Sequence, residues 1–418
     1  MKKKLFAIFG PIVVAFGLLA VFFTSPYRLD TYNPEVIKRA SASMSESVLE
    51  GDVIKNRALA EKEYVPFFGS SELSRISPLH PTPLAEKYQR GYTPFLLGAP
   101  GTQSLILSMM MGSTGEILKN KKVIVVLSPQ WFGKNGLSAN SFDKRSSELQ
   151  IYDWLFSLKK ITSADRYFAK RLLDYPKINT NISLKTILEN IEKGLSPSAK
   201  SLSYQKLQWN MLKREDEIFS NIGIENKQKI IDQSVDLLPN EYQEKTLIQL
   251  ANEIGKKETS NNSYGLKNSY YNGLKSRLEK LKDSDKNQDY RFSPEFSDFQ
   301  LILDQLAKNH SEALFIIPPV NGKWHNYTKL SHPMMQEFAK KIKYQLNSQG
   351  FNHIADFTDQ ADTDYFMEDA IHLGWRGWLA ADQAIRPFLE DEQKPSTYKM
   401  DSSFYSKDWQ QLEPSKLK

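Results

Sequence analysis

The chain has no cysteine in 418 residues. Disulfide staples, thiol nucleophiles and Cys-ligated zinc sites are therefore excluded. Histidine is scarce, at six residues, and none of them falls into a metal-binding pattern such as His-Glu-x-x-His. A strong charge of one sign is missing too. The net charge is +6, of which Lys2, Lys3 and Lys4 supply three, leaving +3 for the rest. No basic stripe is interleaved with aromatics, so nucleic-acid binding finds no support. Nothing in the composition calls for a metal or cofactor. At 40% hydrophobic and 25% charged, the sequence is that of a globular protein.

Long apolar runs are also absent, except for one. Residues 5–23 carry no charge and follow the three lysines. At about 1.5 Å per helical residue the run matches a bilayer core, and Pro11 is tolerable inside it. A cleaved signal peptide is the alternative, but residues 20–28 offer no small-x-small cleavage site. The lysines place the N-terminus in the cytoplasm and everything after about residue 25 outside. Three parts follow: a transmembrane anchor over 1–24, a tether and helix over 25–62, and an extracellular body over 63–418.

The body has an α/β rhythm. Short apolar runs at 65–69, 94–97, 122–127, 313–317 and 353–357 read as buried strands. Helical patterns at 295–309, 334–346 and 377–390 alternate with them, as does a helix with Leu105, Ile106, Met109 and Met110 inward. Residues from about 140 to 290 break the rhythm. They are polar and lysine-rich with helical periodicity, and read as a helical insertion broken near Pro176, Pro197 and Pro239. Its asparagine-rich part, 259–272, reads as a surface loop. Together these predict an α/β three-layer sandwich around a mostly parallel five-stranded sheet.

In such a sheet the loops after the strands gather at one edge, where ligands bind. The first strand ends in Phe68-Gly69-Ser70-Ser71-Glu72-Leu73, with a helix start expected at the serines. A serine there is near free N–H groups that can hold an oxyanion, but it needs a base. Among the histidines only His372 has an Asp three residues before it and a position after the last strand. On one helical turn Asp369 would orient the imidazole, leaving its far nitrogen for the serine proton. Read alone, Gly-Ser-Ser-Glu also fits a simple helix cap, and Asp369 and His372 fit a surface turn. His325, beside Trp324 in a sheet-edge loop, is the one competing histidine.

Six segments in order carry a resemblance: the anchor, Phe68-Gly69-Ser70-Ser71-Glu72-Leu73, Leu97-Gly98-Ala99, Ser128-Pro129-Gln130-Trp131-Phe132, Asn321-Gly322-Lys323-Trp324 and Asp369-Ala370-Ile371-His372-Leu373-Gly374-Trp375. Each is weak alone. In sequence they are similar to the SGNH (GDSL-type) hydrolases and acyltransferases, and within these to the DltD family of D-alanyl-lipoteichoic acid biosynthesis proteins. The resemblance implies a serine-dependent D-alanyl transferase with Ser71 as nucleophile, His372 as base and Asp369 orienting it. It implies Gly98 as an oxyanion donor, with Gln130, or as a second choice Asn321, in place of the superfamily's asparagine. Glu72, Asn321 and Trp324 are candidate substrate contacts. The acceptor implied is lipoteichoic acid. The partners implied are a membrane O-acyltransferase, DltB, a small donor protein, DltX, and indirectly a carrier protein, DltC. An esterase or thioesterase of the same fold, or a non-catalytic scaffold, would carry the same motifs.

Overall fold

The computed structural model describes residues 2–24, 33–392 and 395–417; within 2–24, side chains are described at 9–19, 21 and 22. Its centre is a five-stranded, all-parallel sheet of order β2-β1-β3-β4-β5. The strands are β1 (Tyr64–Phe68), β2 (Thr93–Leu97), β3 (Lys122–Val126), β4 (Glu312–Ile317) and β5 (His353–Asp356). All five lie where the apolar runs place them. Along β3 the residues Val123, Ile124, Val125 and Val126 are completely buried. Successive side chains point to opposite faces, so both faces of the sheet are covered, as parallel sheets require.

The chain leaves β1 for β2 on one side, then crosses back to β3 on the other. That reversal makes the C-terminal end of β1 the topological switch point, where a crevice opens in an α/β sheet.

The helix expected before β1 is divided into three: Pro34–Ser43, Glu46–Leu49 and Val53–Ala60. Met44 takes the left-handed conformation (φ 52°) and ends the first. The third is capped from far away, because Asp216 of the insertion accepts the N–H groups of Asp52 and Val53 at 2.7 and 2.9 Å. Ile37, Ala40, Val48, Ile54 and Leu59 enter the main core.

Between β3 and β4 every regular element among the described residues is helical. Pro176 opens one helix, Pro197 precedes another, and Pro239 follows the end of a third. The loop expected over 259–272 needs correction. Leu266 is fully buried, and a helix, Asn268–Leu274, starts inside the range. Asparagine side chains make this possible by replacing regular backbone bonding: Asn262 Oδ1 accepts from the N–H groups of Tyr264 and Leu266 at 3.1 and 3.0 Å.

Near the N-terminus a helix runs over Lys2–Thr24, with Phe9, Val13, Phe16 and Leu18 exposed. The expected anchor falls partly on side chains outside the described residues. Among the described residues no helix is long and apolar enough to cross a membrane.

One buried ion pair joins three distant segments. Arg90, just before β2, makes a two-pronged contact with Asp382 of the helix Trp375–Glu390, with Nη2 to Oδ2 at 2.8 Å. Tyr242 of the insertion donates to the same carboxylate at 2.9 Å. Removing one partner strands the other charge in the interior. Asp382→Ala is expected to cost about 3–5 kcal/mol, read as a lower urea midpoint at unchanged m-value. A midpoint shift below experimental error would show that this pair does not hold the three segments together.

Candidate active site

The first loop is shaped by close approach. Gly98, after β2, lies so near Gly69 that a Cβ at position 98 would sit 2.0 Å from the Gly69 carbonyl oxygen. Only glycine fits there. Ser70 then turns inward: it is buried, and its Oγ donates to the Ala99 carbonyl at 3.1 Å. Ser71 points the other way and is half-buried. The expected helix is a single 3₁₀ turn, Ser71–Ser74. Pro78 disfavours helical geometry at the residue before it, and the next helix begins only at Pro81. A long helix dipole therefore does not contribute at Ser71.

Glu72 corrects another expectation. It is 1% exposed and does not face a substrate. Its Oε1 accepts the Ser70 N–H at 2.6 Å and its Oε2 accepts the Ser128 hydroxyl at 3.1 Å. Burial pushes its carboxyl above the usual range, against the opposing effects of the N–H groups of Glu72 and Ser70, of His372 and of the Ser128 hydroxyl. Its role is to tie the loop after β1 to the loop after β3.

The second half of the site comes from the segment after β5. Asp369 and His372 lie in a tight loop, not on the helical turn expected; the helix begins at Trp375. The loop is closed by a bridge between Met367 and Leu373 and by the Glu368 N–H on the His372 carbonyl at 3.0 Å. Asp369 Oδ1 accepts the N–H groups of Ile371 and His372, each at 3.0 Å. The same carboxylate meets His372 Nδ1 at 2.8 Å through Oδ2 and 2.9 Å through Oδ1. An ionised carboxylate only accepts, so Nδ1 carries the proton and Nε2 keeps a free lone pair. That Nε2 lies 2.8 Å from Ser71 Oγ. The three residues named from the sequence are thus in a continuous chain of hydrogen bonds across 301 residues. Asp369 and His372 are 1% and 6% exposed, so Ser71 is the point at which this chain meets solvent.

The remaining expectations divide. Gln130 sits in the 3₁₀ turn Pro129–Phe132 after β3, with its buried Oε1 lacking a hydrogen-bond partner among the described residues. Outside the helix and strand ladders, no backbone bond of the described residues uses the Ser71 or Gly98 N–H. Asn321 is a helix cap, its Oδ1 accepting the Trp324 N–H at 3.0 Å. Trp324 is buried in a small cluster with Leu266, Leu274 and Ala370, propping the Asp369–His372 loop against the insertion. Trp324 is consumed by packing, and Asn321 commits its side-chain oxygen to the cap. His325 is buried against His332, ring centroids 5.8 Å apart, and takes no part.

Sequence reasoning missed an outer ring of charge. Arg75 reaches Asp369 Oδ2 and Glu368 Oε1, each at 3.5 Å, and Lys267 reaches Glu368 Oε2 at 3.4 Å. Burial pushes the Glu368 carboxyl up. Arg75 lies four residues after Ser71 and was in view. Lys267 comes from the insertion, and no local signal points to it.

Burial alone would raise the Asp369 carboxyl, but the His372 ring, the Ile371 N–H and Arg75 outweigh it and hold it below the usual range. Stability from a depressed carboxyl is complete above its unfolded pKa and is lost as pH falls through the lower folded value. Wild-type protein is therefore expected to lose more thermal stability than Asp369→Asn between about pH 4 and about pH 2. Parallel melting curves of the two proteins across that range would refute the assignment.

With this geometry in place, comparison with known proteins is direct. Residues 41–390 match the family model described as DltD protein. The chain is 42% identical to Protein DltD of Lacticaseibacillus rhamnosus over 405 residues, covering 96% of this chain and 95% of that one. Protein DltD of Bacillus subtilis (strain 168) is 32% identical, over 93% of this chain and 98% of its own. Protein DltD of Staphylococcus aureus (strain NCTC 8325 / PS 47) is 29% identical, over 96% and 99%. The fold, the site and these full-length matches together place the chain in the DltD family.

Proposed function

We propose that this protein is a membrane-anchored, extracellular O-acyltransferase that passes D-alanine through a Ser71 ester to lipoteichoic acid. The observation that carries the reading is the Ser71–His372–Asp369 hydrogen-bond chain in a member of the DltD family.

His372 Nε2 takes the Ser71 proton as Oγ attacks the carbonyl carbon of a D-alanyl donor ester. The N–H groups of Ser71 and Gly98, with the Gln130 side-chain amide, hold the tetrahedral oxyanion. The bond to the donor oxygen breaks, and that oxygen takes the proton from the imidazolium. A glycerol hydroxyl of the polymer then gives its proton to His372, attacks the D-alanyl-serine, and releases Ser71, which regains the proton. An ester is exchanged for an ester, so the step is nearly isoenergetic and needs no ATP outside the cell. Water is the competing nucleophile; Asp369 and His372 are buried from it, and the bound acceptor must displace it at Ser71.

The anchor over residues 5–23 is inferred from the uncharged run and the three lysines ahead of it. It holds the catalytic body beside the membrane, where DltB and DltX would deliver the acyl group and DltC would supply it from the cytoplasmic side. Esterase action with the same three residues would have the opposite effect on the envelope. A scaffold would need none of them.

The test is the D-alanine ester content of lipoteichoic acid in cells whose only copy carries Ser71→Ala at normal expression, beside Ser70→Ala. Ser71→Ala is expected to abolish the esters. Ser70→Ala is expected to spare most of them, since Ser70 Oγ is spent on the Ala99 carbonyl. Unchanged esters in Ser71→Ala would favour a scaffold, and raised esters a hydrolase.

A further inference from the structure

Two cavities, of about 440 and 520 Å³, lie where the insertion meets the segment leading into the Asp369–His372 loop. They share Lys256, Asp364 and Tyr365 in their walls and so form one groove. One wall is the helix Glu244–Glu258 with the chain that follows it; the other includes residues 361–365. The groove and the triad loop are one piece of backbone. Met367 lines the first cavity and bridges to Leu373, the residue after His372. Asn321, also in the lining, donates its N–H to the carbonyl of Ala370, between Asp369 and His372, at 2.9 Å.

Tyr365, in the shared wall, has φ +62°. An aromatic residue in the left-handed region carries backbone strain, which persists only where the surroundings enforce it. Gly255 leaves room for the Tyr365 ring: a Cβ at that position would lie 2.4 Å from it. The carbonyl of Tyr365 also accepts the Arg376 N–H at 3.1 Å. Chain strain is therefore spent on keeping this wall in place.

The lining carries charges of both signs, with Ile248 and the Tyr365 ring adding apolar surface in the second cavity. Lys256, Lys323 and Arg376 stand among Glu253, Asp362 and Asp364, with hydroxyl and amide groups between them. Lys323 is paired with Asp364 at 2.8 Å. Lys256 is exposed and has no ion pair among the described residues. A polymer with phosphodiester anions, free hydroxyls and, where already esterified, ammonium groups matches such a lining along its length. We infer that the groove holds the stretch of polyol-phosphate acceptor flanking the hydroxyl that is acylated. The inference rests on the transferase reading above. Binding remote repeats here positions one hydroxyl for reaction at Ser71.

The experiment uses the full chain in detergent, with Ser71→Ala to prevent turnover, and a D-alanine-free poly(glycerol phosphate) oligomer as probe. Lys256→Glu with Lys323→Glu is expected to weaken binding about tenfold or more and to flatten its salt dependence. With Ser71 intact, hydrolysis of a small ester such as p-nitrophenyl acetate is expected to be unchanged by the pair, as is the unfolding midpoint. If the Ser71→Ala parent binds the oligomer and the charge-reversed protein binds it equally, the groove assignment is overturned while the transferase reading stands. If the parent does not bind it at all, the acceptor reading fails and this inference with it.

Discussion

The carboxylate of Asp369 is the interaction on which the site depends. It is a buried charge, and a buried charge is tolerated only when every side of it is satisfied. Two backbone N–H groups of its own loop, the imidazole of His372 and the guanidinium of Arg75 meet that demand. The same contacts define the loop's shape, the tautomer of the ring and the direction in which Nε2 points. One ionised group thus turns four residues of irregular chain into a rigid mount for a base.

The opposite half is held by a second buried carboxylate and two glycines. Glu72 binds the loops after β1 and β3 to each other, Gly98 lets the loops after β1 and β2 touch, and Gly69 leaves room for the Glu72 carboxylate. All three loops emerge at the switch point of the sheet, where the strand order reverses and leaves a crevice. Ser71 is exposed there because Ser70 and Glu72 are both turned inward. The alternation comes from the tight turn and the 3₁₀ geometry that follows it, not from a helix dipole.

The insertion is bound into this arrangement from three directions. Tyr242 meets Asp382, Lys267 meets Glu368, and the cluster around Trp324 supports the Asp369–His372 loop. This helical addition contacts the Asp369–His372 loop on one side and walls the groove on the other. The same packing keeps Asp369 and His372 buried.

Much of this was legible in the chain. The five strands could be read from apolar runs because a parallel sheet buries both faces and needs continuous hydrophobic stretches. Ser71, Asp369 and His372 could be singled out because each follows a strand end, and the structure joins them by hydrogen bonds. What the chain alone did not settle was which way each polar side chain faces. Glu72 and Trp324 have the chemistry of substrate contacts, yet both are spent on holding loops. Arg75 and Lys267 carry no signal that separates them from ordinary surface charge. Local sequence determined the elements and the reactive groups, because propensity and periodicity act over a few residues. Strand order, the inward turn of Glu72 and the meeting of the insertion with the Asp369–His372 loop were decided by tertiary structure, because they depend on contacts between residues of different segments, well beyond the reach of local propensity.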